Sequence, residues 1–348
     1  MKLETQSLAD LYTHEFGSDH DVTSKERDGS GCGDAGEEVE MRVLVAGASG
    51  AIGRPLVAQL VAAGHTVVGM TRSDRGAQAL RALGAEPVVA DALDAAAVEH
   101  AVRGARPEIV IEELTALPRH YTPEAMRDAL AASNQVRTVG GANVQAAAER
   151  AGARRYIAQS GCYYYIPGPG LATEETSFAV DTPPLIAGGA RALLGIEQRV
   201  LGAQSLEGIV LRYGFFYGPG TWWAADGSVA EQVRRRQFPI TGGGGGVWSF
   251  VHIADAAAAT LAALTRGARG AYNVADDEPS PLAVWLPAYA RWLGAPAPTQ
   301  VSADEVEDPD ARFYAMQLRG ASNAKVKHEL GLRPQRREWL GDTQETRW

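Results

Sequence analysis

The stretch Val43-Leu44-Val45-Ala46-Gly47-Ala48-Ser49-Gly50-Ala51-Ile52-Gly53-Arg54-Pro55 constrains this 348-residue chain more than any other. A short apolar strand leads into three glycines spaced three apart, and a helix follows. Gly47 lets the chain turn tightly out of the strand. Gly50 leaves room for a pyrophosphate to approach the backbone, and Gly53 lets the helix lie close on the sheet. Free N–H groups at the helix start, with the helix dipole behind them, favour an anion. Ser49, Ala51 and Ile52 complete the same cradle. Glycines in this pattern between a strand and a helix meet the requirement for dinucleotide binding.

From residue 41 onward, strand and helix alternate. Strands are expected at 42–46, 66–70, 87–90, 109–114 and 155–159. Helices are expected at 54–63, 77–83 and 94–102, and over an alanine-rich stretch from 123 to 151 with a break at Gly140-Gly141. This order predicts an α/β fold, a Rossmann-type doubly wound parallel sheet. Ligands of such sheets lie beyond the carboxyl ends of the strands, so those ends are the candidate sites. After the second strand stands Arg72, where an arginine suits the 2′-phosphate of NADP and an acid would suit NAD. Asp91 and Ala92 follow the third strand, with Asp91 placed to accept from an adenine amino group and Asp94 to cap a helix. Leu114, Thr115 and Ala116 follow the fourth strand and let the backbone run past a nicotinamide ribose.

Composition excludes several classes. A formal net charge of −9 with no basic stripe argues against nucleic acid. Arg234-Arg235-Arg236 reads as a solvated helix face. No apolar run approaches the roughly 20 residues of a membrane span. Cys32 and Cys162 cannot form a disulfide framework or a metal site, which fits a reducing, cytoplasmic location. Residues 1–40 are polar, acidic and dotted with glycine, and read as a disordered leader.

Four separated segments resemble the extended short-chain dehydrogenase/reductases, the NAD-dependent epimerase/dehydratase group. They are Gly47-Ala48-Ser49-Gly50-Ala51-Ile52-Gly53, Asp91-Ala92-Leu93-Asp94, Leu211-Arg212-Tyr213-Gly214-Phe215-Phe216-Tyr217-Gly218-Pro219-Gly220 and Phe250-Val251-His252-Ile253-Ala254-Asp255. The resemblance implies a Rossmann domain from 41 to 175, with returning segments to about 275. It also implies a smaller C-terminal substrate lobe, mostly within 176–348 and interleaved with that domain. It implies a serine that holds the substrate oxygen, a tyrosine that moves the proton, and a lysine four residues later that lowers the tyrosine pKa. Ser160 matches the serine. The tyrosine and lysine are missing. With Glu197 as the reference, their positions hold Gly189 and Leu193, and no lysine occurs between Lys25 and Lys325.

Other residues must then supply the chemistry. Tyr163-Tyr164-Tyr165 follows Ser160, and alternation turns neighbouring side chains apart, so not all three can face a substrate. Tyr164 and Tyr165 are the candidate acid/base groups and Tyr163 a substrate contact, with aromatic packing under the lobe as the alternative. Arg191 is a candidate for the lysine's charge, and Cys162 reads as a small packed residue. Nucleotide-sugar members carry a phosphate-binding arginine where this chain has Val247-Trp248-Ser249, which argues against a nucleotide sugar. Trp222, Trp223, Trp248 and Phe216 are expected to line a pocket for a small apolar or aromatic substrate. They could instead form the core of the lobe.

Three functions fit these readings. The first is an NADP-dependent oxidoreductase (NAD as the alternative cofactor) acting on a small apolar or aromatic carbonyl or alcohol through a non-standard proton relay. The others are a redox-neutral isomerase, dehydratase or cyclase, and a non-catalytic nucleotide sensor. Partners are expected to be a small-molecule substrate and no nucleic acid, membrane or metal. Helices on the outer faces are compatible with a homodimer.

Overall fold

The computed structural model describes residues 40–335 and 337–340. The expected leader, Cys32 and the last eight residues lie outside them. Six strands come first: β1 (Arg42–Ala46), β2 (Thr66–Thr71), β3 (Glu86–Val89), β4 (Ile109–Glu112), β5 (Arg155–Gly161) and β6 (Glu207–Tyr213). Short lobe strands follow: β7 (Phe215–Tyr217), β8 (Ile240–Thr241), β9 (Val247–Trp248) and β10 (Phe250–His252). The chain then returns to the sheet edge as β11 (Gly270–Val274), and ends its strands with β12 (Ser280–Pro281) and β13 (Gln300–Val301). The main sheet has seven strands in the order β11-β6-β5-β4-β1-β2-β3. Every pairing in it is parallel. The order reverses between β1 and β4, and the carboxyl ends of these two strands flank the crevice where doubly wound sheets bind ligands.

Both faces of the sheet are covered, so its strands read as apolar runs and not as alternation. Val43, Val45, Ile111, Ile157 and Leu211 are buried with the helices Gly53–Ala62 (α1) and Ile253–Ala262. Leu44, Ala46, Val110, Ala158 and Val210 are buried on the other face. Helix Asp74–Ala82 (α2) lies on the α1 side, where its Leu80 is buried, and the opposite face is covered by helices that include Ala95–Ala105 (α3), Pro123–Gln135 (α4), Gly141–Arg150 (α5) and Pro184–Gly202 (α6). The remaining helices are Ser228–Arg234 (α7), Ile253–Ala262 (α8), Leu282–Trp292 (α9), Pro309–Met316 (α10) and Ala324–Glu329 (α11).

Three local features matter for the site. The fourth strand stops at Glu112, because Glu113 and Leu114 bend across the glycine turn. A Cβ on Gly47 would run into the Glu113 carbonyl. The long helix from 123 is broken by one π-turn over Val136–Gly140. There Gly140 lies against Ala92, and Gly141 fits between Glu112 and Arg199. Such bulges concentrate at functional sites. Helix α8 is capped by His252, whose Nδ1 accepts from the Ala254 amide at 3.2 Å. Asp255 instead accepts from the amide of Gln335 at 2.7 Å. The lobe is held by three two-stranded ladders, β7 with β10, β9 with β12 and β8 with β13.

Candidate active site

The glycine turn has the shape a dinucleotide needs. Gly47 has φ +87°, a region that penalises a side chain. Ile52 at the N-cap makes no side-chain bond to the first turn of α1, where the Arg54 amide donates to the Gly50 carbonyl at 3.3 Å and the Gly50 amide closes the turn onto the Gly47 carbonyl at 2.9 Å. Gly50 and Ala51 are exposed. The turn is fixed to the end of β2 by Ser49 Oγ and Thr71 Oγ1 at 2.8 Å. Arg72 is exposed just beyond, and among the described residues no carboxylate pairs with it. Asp91 is exposed, with Oδ1 accepting from the Leu93 amide at 3.0 Å. Ala92 is buried, and its carbonyl accepts from Asn143 at 2.9 Å. Asp94 caps α3 through the amides of Ala96 and Ala97. Leu114 is buried and Thr115 and Ala116 half-buried. The segment after them is pinned from two sides, by Ser133 Oγ accepting from the Ala116 amide at 3.4 Å and by Trp222 Nε1 donating to the Pro118 carbonyl at 3.1 Å.

At the end of β5, alternation decides what each side chain meets. Tyr156, Ala158 and Ser160 share the face toward α6. Ser160 Oγ donates to Glu197 at 2.7 Å. Glu197 also takes two bonds from Arg212, at 2.8 and 2.6 Å. Arg212 Nη1 reaches the Tyr165 hydroxyl at 3.0 Å, and that hydroxyl donates to Asn273. All five side chains are buried, so every charge has its partner, as burial demands. The expectation that Ser160 and Tyr165 meet a substrate is corrected here: both hydroxyls are committed inside this network. Cys162 is buried too, and desolvation pushes its thiol up to about 12, far from a thiolate nucleophile.

Tyr163 and Tyr164 remain. The Tyr163 ring folds back over Gly161, where an added Cβ would meet its Cζ at 2.5 Å. Tyr163 stacks on Phe215 with centroids 5.0 Å apart. The Tyr164 ring lies in the gap left by Gly189, with Cε2 2.5 Å from where a Cβ would be. An aromatic ring from a different segment thus occupies the space beside Gly189. Leu193, one turn further along α6, is buried and apolar. Tyr164 accepts a hydrogen bond from Tyr314 at 3.0 Å, which leaves its own proton for another acceptor. Burial raises the Tyr164 pKa above the usual phenol value. It is therefore a neutral donor and not a base. Arg191 does not supply the missing charge. It lies on the exposed face of α6, roughly 200° around the helix from both Gly189 and Leu193.

The aromatic residues divide differently from expectation. Phe216 packs with Tyr213 on the α1/α8 face at 5.2 Å, because a one-residue step along β7 reverses the face. Phe215 is the residue on the tyrosine side, 4.4 Å from Trp248 and 5.0 Å from Tyr163. Trp223 makes edge contacts to Phe238, Trp248, Phe250, Trp285 and Tyr289. Trp248 donates its Nε1 to the Tyr314 carbonyl at 3.1 Å. These two tryptophans are core of the lobe. Only Trp222 is half-exposed, tilted against Tyr121 at 5.3 Å.

Two charged residues were not anticipated. Glu113 is buried beside the glycine turn, accepts from Tyr213 at 3.0 Å, and has no partner for its second oxygen. Desolvation pushes its carboxyl up to about 8. Arg137 is buried in the π-turn and hydrogen-bonds the Tyr163 hydroxyl. The signals were present, a Glu112-Glu113 pair closing an apolar strand and one arginine beside a glycine pair. Both are ordinary for surface residues, which hid them.

A parallel sheet with a glycine turn at its switch point and a tyrosine-lined end to β5 defines a Rossmann enzyme of the extended short-chain dehydrogenase/reductase class. The chain belongs to the NAD-dependent epimerase/dehydratase family, whose model matches residues 43–275. It is 45% identical over 307 residues to a Streptomyces 3-diazoavenalumate denitrifying reductase, covering 86% of this chain and 98% of that one. It is 28% identical over 269 residues to a 2-alkyl-3-oxoalkanoate reductase of Stenotrophomonas maltophilia, covering 74% and 77%. Among solved structures, a Thermus thermophilus UDP-glucose 4-epimerase in complex with NAD is similar at TM-score 0.66 and 25% identity, covering 86% of this chain and 96% of that one. The chain is an NAD(P)-dependent oxidoreductase. Among the described residues no helix is long and apolar enough to cross a membrane.

Proposed function

We propose that the enzyme is an NADP-dependent reductase of a small diazo-substituted aromatic acid. What supports this reading is that Ser160 is tied to Glu197 and a ring lies against Gly189, while Gly189 and Leu193 are the positions where the family resemblance implies a proton-moving tyrosine and lysine. A bound nicotinamide supplies hydride, and hydride that replaces N2 on an arenediazonium carbon needs no proton, because the C–N electron pair leaves with the nitrogen. Gly47, Ser49, Gly50, Ala51, Ile52 and Gly53 would hold the pyrophosphate, and Arg72 the 2′-phosphate. Asp91 and Ala92 would face the adenine, and Leu114, Thr115 and Ala116 the nicotinamide ribose. Tyr163, Phe215 and Trp222 would orient the aromatic ring. The Streptomyces relative's name supports the substrate class.

The test is to incubate the enzyme with 3-diazoavenalumate and NADPH deuterated at C4. Nitrogen release, with one deuterium in the product per NADPH oxidised, is the expected result. No NADPH oxidation would overturn it. A second reading, carbonyl reduction with Tyr164 as proton donor, is favoured by its buried neutral phenol. Tyr164→Phe separates the two. Loss of a general acid costs roughly 10²–10⁴-fold in turnover, whereas denitrification, which needs no proton, should fall by less than about tenfold, below that range.

A further inference from the structure

Arg137 is 6% exposed, and among the described residues no carboxylate pairs with it. The other buried arginines have carboxylate partners, Arg212 with Glu197, Arg337 with Asp276 and Arg155 with Glu207, and the half-buried Arg199 pairs with Glu112. Acids on the surrounding elements bond other groups, although the second Glu113 oxygen has no partner among the described residues. Glu112 holds Arg199 and Tyr156, Glu113 holds Tyr213, and Asp310 accepts from the Ile186 amide at 2.9 Å. An unpaired buried cation costs several kcal/mol unless an anion joins it. Arg137 stands one helical turn beyond Ser133, which holds Ala116, and its guanidinium bonds the Tyr163 hydroxyl. It therefore lies between the segment after β4 and the tyrosines after β5, with the rings of Tyr163, Tyr164 and Phe215 alongside. The π-turn brings it there.

We propose that Arg137 is the receptor for the substrate's carboxylate, and that the enzyme selects aromatic acids over their neutral counterparts through this one guanidinium. The planar fork accepts both carboxylate oxygens, while the aromatic walls accept the ring. The proposal rests on the reading above that the Tyr163 side of the crevice is the substrate end. It does not depend on which bond is reduced.

The test measures binding, not turnover, so it survives failure of the denitrification experiment. Wild type, Arg137→Met and Arg137→Lys, each saturated with NADPH, are titrated calorimetrically with 4-hydroxycinnamate and with its primary amide. Wild type should prefer the acid by about tenfold or more, as expected for one charge-assisted pair. Arg137→Met should bind acid and amide alike, Arg137→Lys should keep part of the preference, and NADPH affinity should be unchanged in both. Equal or no binding of the two probes by wild type would overturn the proposal. So would an Arg137→Met enzyme that keeps the preference, or one whose NADPH affinity falls tenfold. The last result would assign the guanidinium to the nucleotide.

Discussion

At the scale of single residues, the site is governed by contacts between segments far apart in sequence. Gly189→Ala should destabilise the fold by about 1–3 kcal/mol in urea unfolding, since the new Cβ overpacks the Tyr164 ring. Tyr164→Ala in that background should cost less than Tyr164→Ala alone, whereas simple additivity of the two costs would disprove the contact. Glu113 gives a pH signature. Its carboxyl is raised from 4.5 to about 8 by burial, so the folded state keeps a proton that the unfolded chain has already lost. Stability then falls as pH rises through that window. Glu113→Gln should flatten the decline in Tm between pH 5 and 8 and exceed wild type at pH 8. The glycine turn was legible because its meaning is local. Ser160, Tyr164 and Tyr165 were visible as candidates, but only the register of β5 could tell which hydroxyls are occupied. Arg137 was hidden because an arginine in an alanine-rich helix ordinarily faces water.

At the scale of elements, β7 makes the clearest case. Phe215 and Phe216 are adjacent and chemically identical, yet they face opposite sides of the strand. Phe215→Ala should raise KM for the aromatic substrate by about tenfold, as loss of one aromatic contact allows. Phe216→Ala should lower Tm and leave KM intact. A three-residue strand carries too little pattern to fix its register in advance, which is why the sequence alone could not tell which phenylalanine faces Tyr163. The long helix from 123 was recognisable with its break, since paired glycines weaken a helix. The π-turn that aims Arg137 inward was not, because its cause is tertiary: Gly140 and Gly141 fit tightly against Ala92 and Glu112.

At the scale of the whole molecule, the alternation of apolar strands and helices made the doubly wound parallel sheet legible, while its seven strands and their order come from the structure. The lobe was less legible, because the same tryptophans that line a pocket in one packing fill a core in another. Nucleotide binding should be readable globally. NADPH at about 100 times its Kd adds about 2.7 kcal/mol of stability, a rise of several degrees in Tm. NADH at equal concentration should give less, and Arg72→Ala should make the two shifts alike. The ring of Tyr164 in the gap at Gly189 also couples two segments of the chain. Because gap and ring come from different segments, a tyrosine at 189 finds its place taken, and losing the ring at 164 leaves a void. A change at either position is therefore felt at the other, and the two behave as one packing unit although 25 residues separate them.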